Sequence, residues 1–111
     1  MLNVSNSARL FLFANPVNML KSFEGLSALV EEAFPGELIK AYFLFINRRR
    51  DRIKVLYWDG DGFVIWYKRL EKGTFLQKKD QPSSLNRREF FMLLEGITPK
   101  KIQTRFHKKV D

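Results

Sequence analysis

Asp59-Gly60-Asp61-Gly62 separates two runs of β-branched and aromatic residues, Ile53 to Trp58 (IKVLYW) and Phe63 to Tyr67 (FVIWY). Glycine supplies the positive φ that a tight turn between twisted strands requires, so this arrangement predicts an antiparallel hairpin. A third run of the same texture, Tyr42 to Ile46 (YFLFI), precedes it across the polar segment Asn47 to Arg52, which predicts a second hairpin. The two share a strand and make a three-stranded antiparallel meander. Strand alternation places Ile53, Val55 and Tyr57 on one face and Lys54, Leu56 and Trp58 on the other. Both faces are then partly apolar, so the sheet needs cover on more than one side.

The rest of the chain can supply that cover. Met19, Phe23, Leu26, Leu29, Val30 and Phe34 repeat at spacings of 4, 3, 3, 1 and 4, the stripe of an amphipathic helix. Asn18 is its candidate N-cap, and Pro35-Gly36 ends it. Ser84 or Asn86 can cap a second helix over Arg87 to Glu95, with Phe90, Phe91, Leu93 and Leu94 as its apolar side and Gly96 as its stop. Arg9 to Phe13 (RLFLF) reads as a further strand, and Thr74 to Leu76, after the Lys72-Gly73 turn, as a short edge strand. The expectation is an α+β fold. A small antiparallel meander of three to five strands over about 41–76, with a possible strand at 9–13, packs with two helices over about 19–34 and 87–95. At 111 residues there is room for one domain, placed at 1–98, followed by a basic tail over 99–111.

Charge is distributed unevenly. The chain carries +8 in all; residues 48–79 hold +6 and the tail +4, while 1–47 and 80–98 are each at −1. A concentrated positive field favours a polyanion, because neutralising phosphates releases condensed counterions. The alternative is a solvated basic surface that only aids solubility. The candidate binding residues are Arg48, Arg49, Arg50, Arg52 and Lys54 around the first hairpin tip, with Lys68, Arg69 and Lys72 at the end of the adjoining strand. Arginine grips phosphate bidentately, and it also anchors protein interfaces, so DNA and an acidic protein both remain open as partners. Tyr57, Trp58, Trp66 and Tyr67 are read as core, and none is assigned to a base-binding face.

Enzymatic chemistry finds no such support. There is no cysteine, which removes disulfides, thiolate nucleophiles and cysteine-based zinc sites. His107 is alone in the tail, without a partnering pattern. A metal-dependent nuclease would draw on Asp51, Asp59, Asp61 or Glu71, but Asp-Gly pairs build turns and the other two acids sit among cations. No catalytic residue, metal or cofactor is assigned. The longest apolar stretch near the N-terminus, Leu10 to Ala14, is far short of the roughly 20 residues that span a bilayer. A cytoplasmic protein with no membrane association is expected.

Four blocks recur in an order that resembles a known family. They are Met19 to Leu26 (MLKSFEGL), Phe45 to Gly62 with RRRDRIKVLYWDGDG, Lys68 to Phe75 (KRLEKGTF), and Leu94 to Ile97 (LEGI). The combination is similar to the TnpB accessory proteins, second open-reading-frame products encoded beside the transposase in insertion sequence 66 elements. Relatives commonly have arginine where Leu20 stands, glycine where Ser22 stands, and a glycine before the aspartate of the Arg-Arg run. The resemblance implies a role supporting transposition, with strand cleavage and joining left to the separate transposase. That transposase, DNA, or another element-encoded protein is the implied partner.

Overall fold

The computed structural model describes residues 2–76 and 83–97; the basic tail over 99–111 lies outside them. The meander forms as read, from β2 (Ala41–Ile46), β3 (Arg52–Trp58) and β4 (Phe63–Arg69). Gly60 takes a φ of +108° at the second hairpin, and Asp59 N–H donates to Gly62 O at 3.0 Å to close it. Register pairs Leu44 with Val55 and Val55 with Trp66.

β1 (Arg9–Leu12) also joins this sheet, but parallel to β2, through a crossover that contains α1 (Phe23–Ala33). The sheet is therefore mixed, because a helix returns the chain to the end from which it started. β6 (Ser83–Leu85) adds antiparallel on the other side of β1, giving the order β4-β3-β2-β1-β6. β5 (Thr74–Phe75) leaves that sheet and pairs with β7 (Gly96–Ile97) in a separate two-stranded ladder.

Period-two alternation in β2 and β3 divides the core into two layers, as expected. On one face Phe43, Phe45 and Leu56 pack with Leu26 and Val30 of α1. On the other, Leu44, Ile46, Ile53 and Val55 pack with Phe75 and with Phe90 and Leu94 from the region of α2 (Arg87–Leu93). Phe43, Phe45, Phe75 and Phe90 are fully buried, each stabilising the fold by roughly 1.5–3 kcal/mol relative to exposure.

The helices differ from expectation at their ends. Asn18 does accept a bond from Leu20 N–H at 2.8 Å, and Lys21 N–H reaches Asn18 O at 3.0 Å. That turn does not propagate. The carbonyls of Met19 and Lys21, which a helix starting here would use internally, instead accept from Lys54 Nζ, and α1 begins after Ser22. Its buried residues are Leu26 and Val30, while Phe23 is exposed. α2 has a capping box: Asn86 Oδ1 accepts from Glu89 N–H at 2.7 Å, and Glu89 Oε1 from Asn86 N–H at 3.0 Å. It ends at Leu93, before Gly96, which lies in β7. A Cβ there would stand 2.6 Å from Leu70 Cδ2, so a larger residue would displace the Leu70 side chain.

Candidate functional site

The β2–β3 tip is built by Asn47. Its Oδ1 accepts from the N–H groups of Asp51 and Arg52 at 3.1 and 3.0 Å, and its Nδ2 donates to Asp51 Oδ1 at 2.7 Å. One side chain thus closes the turn in which Arg48, Arg49 and Arg50 are exposed. Arg50 has a φ of +59°.

The chain after β4 folds back onto this tip. Leu70 N–H donates to Asp51 O at 2.8 Å, and Phe75 N–H to Arg50 O at 2.6 Å. Phe75 is anchored in the core, so the arginines project from a tip fastened at its base. On the other side Lys54 is 7% exposed, with Nζ donating to Met19 O and Lys21 O at 2.8 Å each. The segment before α1 is thereby held against β3. Lys68 Nζ donates to Leu94 O at 2.9 Å, tying β4 to the end of α2.

These contacts join residues of all four sequence blocks: Lys54 to Met19 and Lys21, Leu70 and Phe75 to Asp51 and Arg50, and Lys68 to Leu94. Between residues 16–20 and the hairpin tip runs a groove of about 760 Å³, lined by Met19 and Leu20 on one side, Arg48, Arg49 and Arg52 on the other, and Tyr67. Leu20 is 90% exposed. The Tyr67 hydroxyl accepts from Arg52 Nη1 at 3.4 Å, and Lys54 Nζ lies 4.8 Å from the Tyr67 ring centroid.

The eight candidate cations thus fall into distinct settings. Arg48, Arg49, Arg50 and Lys72 are exposed, and among the described residues no carboxylate pairs with them. Arg52 is half-buried beside Tyr67. Arg69 is exposed and pairs with Glu71 at 3.1 Å, a contact of the kind worth little in water. Lys54 and Lys68 are committed to backbone carbonyls within the fold.

Tyr67 and the 16–20 wall were not singled out as site residues from sequence. The signal available was Lys54 itself, a lone charge on an apolar strand face, which has to find buried acceptors. Among the described residues no three histidine, aspartate or glutamate side chains gather as metal ligands. Asp51 lies before β3 and Asp59 after it, separated by roughly 25 Å of extended chain; Glu71 is turned to Arg69. Nor is any described helix long and apolar enough to cross a membrane.

A family model described as IS66 Orf2 like protein matches residues 8–104. The uncharacterized protein y4jC of Sinorhizobium fredii (strain NBRC 101917 / NGR234) is 31% identical over 104 residues, covering 87% of this chain and 86% of its own. No solved structure matches. The matched span includes all four sequence blocks, and the chain belongs to the IS66 Orf2-like family of transposition-associated proteins.

Proposed function

We propose that the protein supports the separate transposase of its element by binding nucleic acid through the basic β2–β3 tip. The supporting observation is the fastened turn that presents Arg48, Arg49 and Arg50 to solvent without carboxylate partners among the described residues. Arg52, Arg69 and Lys72 extend the same positive end. A rigid base lowers the entropy lost when arginine side chains settle on phosphates, and planar guanidinium groups suit that contact.

Purified full-length protein titrated with DNA should bind with an affinity that falls steeply as salt rises. Each phosphate contact contributes about 0.9 to the slope of log K against log salt on duplex DNA. Replacing Arg48 and Arg49 by glutamine should flatten the slope by about 2. Absence of binding to duplex and single-stranded DNA alike at low salt would reject the proposal.

A second reading draws on Leu20, whose nearly complete exposure beside arginines also suits a protein interface. In it the chain is an adaptor docking on the transposase or another element-encoded protein. A stoichiometric complex recovered from cells expressing the element's proteins, and stable to nuclease, would favour the adaptor.

A further inference from the structure

We propose that the groove takes an unpaired nucleotide, with its base stacked on Tyr67 and its flanking phosphates on Arg48 and Arg49, so that single-stranded nucleic acid is the preferred ligand. This rests on the nucleic-acid reading of the tip and adds to it the form of the strand.

Tyr67 is 47% exposed on the outermost strand of the five-stranded sheet. Lys54 is on the neighbouring strand, directly opposite it in register, with its ammonium fixed by two carbonyls. That cation on the inner side and Arg52 at the hydroxyl hold the ring while it borders the groove. A ring already held loses little freedom when a base settles on it. The groove volume of about 760 Å³ lies within the roughly 300–1,000 Å³ of small-ligand sites.

The surroundings separate Tyr67 from the other exposed ring of the sheet. Trp58 adjoins Asp59 at the opposite hairpin, where a carboxylate repels phosphate. Tyr67 shares its groove with three arginines against one carboxylate, Asp51, which accepts from Asn47 Nδ2. Aromatic platforms beside a cationic track are the means by which proteins hold single strands, since every base has a π face. In a duplex those faces are occupied by neighbouring bases, so stacking on Tyr67 requires a base out of the helix.

The test uses full-length protein and one DNA sequence offered single-stranded and as a duplex at low salt, with 2-aminopurine in the single strand to report stacking. The expected result is single-strand binding about tenfold tighter than duplex binding, with quenched or shifted 2-aminopurine emission. Tyr67→Ala removes the preference and the signal, while Tyr67→Phe keeps both and shows that the ring is the determinant. Equal or tighter duplex binding, or a preference that survives Tyr67→Ala, overturns the inference and leaves the basic-tip reading standing. Displacement of the single strand by poly-glutamate as effectively as by unlabelled strand at matched charge also overturns it, since the groove would then read charge alone. Failure to bind either form rejects both readings together.

Discussion

Lys54 donates to the carbonyl oxygen of Met19 at 2.8 Å although the two lie 35 residues apart in sequence. With the matching bond to Lys21 O, this attaches the entrance of α1 to β3, next to the edge strand β4. Charge-assisted bonds contribute roughly 1.5–3 kcal/mol each, offset here by the desolvation of the ammonium and by water reaching the carbonyls when it is removed. Lys54→Met should therefore destabilise the protein by about 1–3 kcal/mol, read as a lower urea midpoint with an unchanged slope. On the proposed nucleic-acid reading, DNA affinity should also fall in this variant, because the wall of the groove is no longer held.

Arg50 occupies a left-handed backbone conformation, φ +59°, that costs a non-glycine residue roughly 1–2 kcal/mol. Glycine removes that strain but adds freedom to the unfolded chain, worth roughly 0.5–1 kcal/mol. Arg50→Gly is expected to raise stability by about 0.5–1 kcal/mol in urea unfolding. It also removes one cation from the tip, so on the proposed nucleic-acid reading the same variant should bind DNA with a shallower salt dependence.

Leu20 borders the groove and buries almost nothing. Leu20→Arg should leave stability within about 0.5 kcal/mol of the parent. On the proposed nucleic-acid reading it should also steepen the salt slope of DNA binding by about 1, one further phosphate being neutralised. Fluorescence anisotropy across a salt series measures the effect.

Tyr57 stacks on Tyr42 with centroids 4.6 Å apart. Burial first, then the neighbouring Tyr42 and Asp59, push its pKa above the ordinary 10.0. The native state thus favours the protonated phenol. This contribution is complete below pH 10.0 and is lost as pH rises through the higher folded value. As pH rises above 10.0 the parent should lose more stability than Tyr57→Phe, as urea unfolding at each pH would show.

The meander was legible in sequence because its signals are local: Gly60 at a turn, and alternation along Ile53 to Trp58. The apolar side of α2 and its cap at Asn86 were legible for the same reason. The parallel placement of β1 was not, since RLFLF is equally apolar whichever neighbour it finds and its partner lies beyond a helix. The start of α1 was misplaced because a proper Asn18 turn and a proper apolar spacing are overridden by Lys54, a residue remote in sequence. For the site, composition identified the arginines around the tip, but only the backbone bonds of Leu70 and Phe75 define how they are mounted. Tyr67 was assigned to the core because alternation gives a residue's face and says nothing of whether a helix covers it there; α1 does not reach far enough to bury it.

The position of β1 between β2 and β6 has a consequence for synthesis. This interior strand of the sheet leaves the ribosome before both of its partners, which begin at Ala41 and Ser83. Until they emerge, Leu10 and Leu12, both buried in the finished core, have no permanent cover. The nascent chain therefore carries an open apolar strand until both partners have emerged, and a ribosome that stalls before Ser83 holds a sheet still open along β1.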